Sequence, residues 1–180
     1  YWLTGYDTFG YVFFQTLILD LKGNLILLTR APDLRQAKNT SIIKDIRIWV
    51  DKNMSNPTDD LKIILDELNL KGKKVGIEYE AYGLTGRNAL KLNKSLENYC
   101  SIEDQSELIT KHRVIKSEEE IFFIKKAADL ADKALDEAWK YTRSGVSEAK
   151  ILAEMQKVIF EGGGDYPANE FIIGSGHNAL

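Results

Sequence analysis

Between Tyr11 and Pro32 the chain is almost continuously apolar, YVFFQTLILDLKGNLILLTRAP, with its main break at Lys22 to Asn24. β-Branched, aromatic and aliphatic residues on either side of Lys-Gly-Asn predict two strands joined by a tight turn, because Gly and Asn tolerate positive φ. A strand with no polar face is a strand covered on both sides. IRIWVD, residues 46–51, alternates at period two and predicts a further strand. NPTDDLKIILDELNLKGKK predicts a helix, with Thr58 as its cap, Asp59 and Asp60 at the positive end of its dipole and Gly72 beyond its end. KVGIEYE returns to strand character. TGRNALKLNKSLENY predicts a weaker helix, with Leu90, Leu92 and Leu96 as its apolar stripe. Strands and helices alternate, which defines an α/β domain with a mixed sheet.

The pattern changes near ITKHRVIKSEEE. Ser117 and Glu120 form the S-x-x-E of a capping box, and a long helix is predicted from about Glu118 to Thr142. Ile121, Ile124, Ala128, Ala131, Leu135 and Ala138 fall on one face of it. Glu118 to Glu120 at its start, and Lys140 and Arg143 at its end, suit the dipole without any ligand. Gly145 stops this helix, and Ser147 caps a second one. Val146 and Ile151 are spaced as a hydrophobic staple, Ile151, Met155 and Val158 form the buried stripe, and GGGDYP ends it. EFIIGSG then predicts a strand. A domain boundary is expected between 113 and 114, giving 1–113 and 114–180. Its last strand has no partner nearby in sequence, and an unpaired apolar strand is an aggregation liability. The chain also opens on YWLTGYDTFG without Met, so it reads as an internal piece of a longer protein.

Composition narrows the classes. The 180 residues carry a net charge of −3, without the basic excess that a nucleic-acid surface needs. Tyr11 to Leu21 is too short and too polar to span a bilayer. Cys100 is the single cysteine, so no disulfide closes within the chain, and a buried apolar thiol is the simplest role for it. A cytoplasmic protein is the expectation.

Candidate chemistry is sparse. Gly162 to Gly164 and Gly174-Ser175-Gly176 lack the Lys-Ser/Thr of a phosphate loop and the strand-to-helix setting of a dinucleotide loop. The glycine triplet reads as a helix stop. His112 and His177 fall in different predicted domains, each without a His or Cys at ligand spacing. Asp165 and Glu170 straddle a turn containing Pro167 and form no recognisable carboxylate pair. No nucleophile elbow is present.

Three segments, in order, carry a family resemblance. YWLTGYD resembles the Tyr-Leu-Thr-Gly-Phe/Tyr segment in the N-terminal domain of the creatinase, prolidase and aminopeptidase P relatives. HRVIKSEEEIFFIKKAADLADKAL is similar to that family's entry into its catalytic domain, with Lys116, Ser117 and Glu120 matching Lys-Ser-x-x-Glu. GGGDYPANEFIIGSGHNAL resembles the strand before the family's metal site, and within the family looks most like the ectoine hydrolase branch, with Xaa-Pro peptidases next.

The resemblance implies an α/β creatinase-like N-terminal domain followed by the beginning of an α+β pita-bread catalytic domain. It implies a homodimeric, metal-dependent hydrolase of a C–N bond. The substrate would be a small molecule or short peptide: ectoine first, Xaa-Pro peptides second. A metal-free creatinase-like enzyme follows, and a member that kept only the fold as a binding module is the rival from another class. The peptidases hold two divalent ions through Asp, Asp, His, Glu and Glu, a donor set suited to Mn, Co or Zn. Those ligands are expected after Leu180, so no metal ligand or catalytic residue is expected within the chain, which alone would be inactive. Ser175, Gly176 and Asn178 match a Ser-Gly-x-Asn segment whose following His also falls after Leu180, and His177 is not its equivalent. In the family's dimers the N-terminal domain leans over the partner's active site. The loop GYDTFG would then present Tyr6, Asp7 and Phe9 to substrate, with Asp7 holding a cation and Phe9 packing on a ring. The alternative is that Tyr6 and Phe9 are core aromatics and Asp7 caps a turn. Phe171 and Ile173 are candidates for the pocket wall.

Overall fold

The fold is described from a computed structural model, for residues 1–8, 12–167, 169 and 171–179. It divides into two units, 1–112 and 113–180.

In the first unit the apolar run forms the expected hairpin. β1 (Thr16–Leu19) pairs antiparallel with β2 (Leu25–Arg30), Thr16 facing Leu28 and Leu19 facing Leu25. Asp20 closes the turn. Its carboxylate accepts from the amides of Lys22 and Asn24, both at 2.9 Å, and from the Asn24 side chain at 2.7 Å. These bonds, the Asn24 side chain foremost, hold the Asp20 carboxyl below the usual carboxylate range. β2 is covered on both faces. Ile26 and Leu28 enter one core with Phe14, Trp49, Leu61, Ile64, Leu65 and Leu96. Leu27 enters a smaller one with Tyr6, Ala37 and Ile43.

β3 (Asp45–Trp49) lies parallel to β2, Ile26 facing Asp45 and Arg30 facing Trp49, so the sheet is mixed. The crossover between them is a 3-10 turn (Ala31–Asp33) and α1 (Leu34–Thr40). The Trp49 indole donates to the Phe14 carbonyl at 2.9 Å, tying the β3 end to the approach to β1. A second, parallel pair joins β4 (Lys74–Ile77) to β5 (Ser101–Asp104) around α3 (Gly86–Leu96).

Two local expectations need correction. α2 (Pro57–Glu67) starts upstream of the predicted cap, with Asn56 as its N-cap residue. Proline suits the first helical position because its fixed φ is already helical and its missing N–H is no loss there. Thr58 therefore lies inside the helix, wholly buried, and its hydroxyl has no partner among the described residues. On α3, Leu92 and Leu96 are buried but Leu90 is 73% exposed. Residues two apart point to opposite sides of a helix, so Leu90 could not share that stripe. Thr85 caps α3, accepting from the Asn88 amide at 3.3 Å. Past the C-cap Leu68 of α2, Asn69 takes φ 57°. The amides of Asn69 and Leu70 reach back to the carbonyls of Asp66 and Leu65, both at 2.9 Å, the Schellman pattern.

α4 (Leu108–Val114) runs through the division between the units, and His112 is exposed on it. The second unit is built on α5 (Glu118–Tyr141) and α6 (Glu148–Glu161). The capping box of α5 is complete: Ser117 Oγ accepts from the Glu120 amide at 3.1 Å, and Glu120 Oε2 accepts from the Ser117 amide at 2.7 Å. Gly145 turns the chain at φ 87°, and Ser147 caps α6 through the Lys150 amide.

The stripe predicted for α5 is not the side that is covered. Ala134 is buried and Leu130, Glu137 and Ala138 are half-buried, while Ile121, Ile124 and Leu135 are 39%, 47% and 52% exposed. α6 is the single long helix available to pack on α5 among the described residues of this unit. One neighbour covers one face, and α5 carries apolar residues on more than one.

The strand expected at EFIIGSG is not formed at residues 171–175, which have no ladder partner among the described residues, and Gly176–Asn178 form a 3-10 turn; Glu170 lies outside the described residues. A strand exists by its hydrogen bonds to a neighbour, and the described residues of this unit contain no other strand.

Candidate functional site

Thr4 to Asp7 is pinned onto the C-terminal end of α1. The Ile42 amide donates to the Thr4 carbonyl at 3.0 Å, and the Asp7 amide donates to Thr40 Oγ1 at 3.2 Å. Thr40 in turn donates to the Gln36 carbonyl at 2.9 Å. Gly5 makes this approach possible. Its φ is 75°, and a Cβ there would stand 2.8 Å from the Thr40 carbonyl oxygen.

The two described loop residues, Tyr6 and Asp7, separate. Tyr6 is 7% exposed, and its ring belongs to the core formed with Leu27, Ala37 and Ile43. Its hydroxyl donates to Gln15 Oε1 at 3.3 Å, and Thr29 Oγ1 donates to the same oxygen at 3.4 Å. Asp7 is half-buried, and its amide is held by Thr40 Oγ1. Phe9 lies outside the described residues. Nearby, the Arg30 guanidinium stacks over the Phe13 ring at 3.2 Å and pairs with Asp33 at 3.2 Å, a cation–π contact of ordinary kind.

In the second unit the glycine triplet packs rather than binds. Gly163 takes φ 81°. The amides of Gly163 and Gly164 return to the carbonyls of Phe160 and Ile159 at 3.1 and 2.9 Å. This is again the Schellman pattern, which satisfies the last carbonyls of α6. A Cβ on Gly162 would collide with Leu130 Cδ2, and one on Gly164 would meet Ile159 Cγ2 at 2.8 Å. Beyond it the Tyr166 ring meets Phe160 edge-on, centroids 5.1 Å apart. Exposure then alternates: Phe171 and Ile173 are half-buried, and Ile172 is fully exposed. Ser175 Oγ donates to Glu148 Oε1 at 2.5 Å, a link across 27 residues that the sequence pattern does not reveal.

No group of three or more His, Cys, Asp or Glu among the described residues could hold a metal ion. His112 belongs to the first unit and His177 to the second. Cys100 is half-buried, and burial raises its thiol pKa, which keeps it protonated and unreactive. No helix among the described residues is long and apolar enough to cross a membrane.

A mixed-sheet α/β unit followed by a capped pair of long helices defines a two-domain chain, and comparison with known proteins gives its family. The model of the creatinase/prolidase N-terminal domain matches residues 1–115, and that of metallopeptidase family M24 matches residues 123–180. The chain belongs to the creatinase/prolidase family: an N-terminal domain of that kind, then the beginning of an M24 domain.

Relatives agree. The ectoine hydrolase of Halomonas elongata is 26% identical over 194 aligned positions, covering 99% of this chain and 48% of the relative. The Xaa-Pro dipeptidase of Pyrococcus horikoshii is 32% identical over 108, covering 59% and 29%. The solved X-Pro aminopeptidase of Thermotoga maritima superimposes with a TM-score of 0.67 at 20% identity, covering 83% of this chain and 38% of that one. At that identity the likeness establishes the fold. The chain spans less than half the length of these relatives.

Proposed function

We propose that the protein carrying this chain is a metal-dependent hydrolase of a C–N bond, acting as a homodimer in the cytoplasm. The observation that carries the reading is the succession of two family matches, 1–115 and then 123–180, in one chain. Ectoine is the first substrate proposed, because the ectoine hydrolase aligns with 99% of the chain. Xaa-Pro dipeptides are the second, favoured by a relative of higher identity over a shorter stretch.

The described residues do not fit a metal site, since no acid–histidine cluster is among them. The ions, two of Mn, Co or Zn, would be held within the part of the relatives' length that this chain does not span. What this chain contributes is placement. Asp7 would face the partner's substrate from a segment that Gly5, Tyr6 and Thr40 hold rigid. Phe171 and Ile173 would line the pocket from the second unit. A carboxylate on a rigid segment recognises a cationic group with little ordering cost.

The test is to express the full-length protein and assay ectoine and Xaa-Pro dipeptide hydrolysis, with and without a chelator. Turnover of either that is lost on chelation supports the reading. Chelator-resistant turnover of a creatine-like substrate would replace it with the metal-free branch. No turnover of any of these would leave a binding module. If the reading holds, Asp7→Asn raises KM with little change in kcat.

A further inference from the structure

The chain leaves α6 at Gly162, yet by Ser175 it is back at the opposite end of the same helix, bonded to Glu148. α6 has 14 residues, so the return covers about 21 Å. It is anchored at both ends, by the glycine turn against Leu130 and by the Ser175–Glu148 bond.

The second anchor is unusual in its donor. Ser175 is the N-cap residue of the 3-10 turn Gly176–Asn178, where a serine oxygen ordinarily accepts from its own turn. It makes no such bond; its hydroxyl is given to Glu148. Glu148 is the first residue of α6, where a carboxylate also suits the positive end of the dipole, and Ser147 caps the helix through the Lys150 amide. The pairing is a hydroxyl donating to a carboxylate, the stronger class of side-chain hydrogen bond. Just before it, Ile172 stands fully exposed between half-buried Phe171 and Ile173.

We infer that Glu148 is a positioning residue: through the Ser175 hydroxyl it tethers residues 171–177 to the start of α6, and so fixes which way Phe171 and Ile173 face. The functional half of this inference rests on the reading above, that this segment leads into the active site.

The experiment compares Glu148→Ala, Glu148→Gln, Ser175→Ala and the double Ala variant in the full-length protein. Amide hydrogen exchange is followed in residues 171–177, beside kcat and KM. Glu148→Ala and Ser175→Ala should each speed exchange there about fivefold. The double variant should add nothing to either, and Glu148→Gln, which keeps an acceptor oxygen, should restore most of the protection. In an active enzyme kcat/KM should fall in the same order. Unchanged exchange in Glu148→Ala, or additive effects in the double variant, would overturn the inference. The exchange readout needs no substrate, so failure of the hydrolase reading and failure of this one are told apart.

Discussion

A methyl group on Gly5 would collide with the Thr40 carbonyl in a backbone conformation that side chains rarely adopt. Gly5→Ala should therefore cost about 2–3 kcal/mol. Gly23→Ala, at a similar φ of 85° but with open space around it, should cost about 1 kcal/mol. Urea denaturation of both variants checks the pair, and equal losses would show that the close approach to Thr40 carries no weight. GYDTFG was legible in the sequence as a loop, and the core position of Tyr6 was one of the two readings it offered. What decides between them, the packing of Tyr6 on Ala37 of α1, was hidden, because LRQAKNT carries too few apolar residues to announce a helix. The Glu148–Ser175 bond was equally hidden, since an exposed Glu and Ser far apart in sequence give no pattern.

The two helices of the second unit were read correctly from their start signals: Ser117 and Ser147 cap where spacing placed them. β5 was missed because Ser-Ile-Glu-Asp has one apolar residue, its strand character coming from pairing with β4. Between elements, α2 is tied to the chain just after α3 by the Tyr99 hydroxyl, which donates to Asp66 Oδ1 at 2.7 Å. Burial, and then Asp66, push the Tyr99 pKa from 10.0 up to about 12. The folded chain thus keeps a proton between pH 10 and 12 that the unfolded chain has lost. The stabilisation is complete below pH 10 and is lost as pH rises through about 12. Urea midpoints measured across that range should fall more steeply for the parent sequence than for Tyr99→Phe, and parallel curves would remove Tyr99 from the alkaline transition.

At the scale of the whole molecule the unmatched feature is the outer face of α5. Ile124, Leu135 and Trp139 are 47%, 52% and 72% exposed. The six-residue stripe was correctly seen in the sequence as one face, but a periodic pattern does not say which neighbour covers it. An apolar patch of this kind promotes association. The 180-residue chain by itself should bind a hydrophobic dye and self-associate as concentration rises. Leu135→Lys with Trp139→Lys should reduce both, as read by fluorescence and light scattering. A chain that stays monomeric and dye-free would show that this face is closed in solution.

The contact between Leu130 and Gly162 also couples two distant positions. A smaller residue at 130 clears one obstacle to a side chain at 162 and leaves another, the Val158 carbonyl oxygen at 3.0 Å. The two positions, 32 residues apart, are thus read together: a side chain at 162 is better tolerated beside a shortened residue 130, and neither change is neutral to the other.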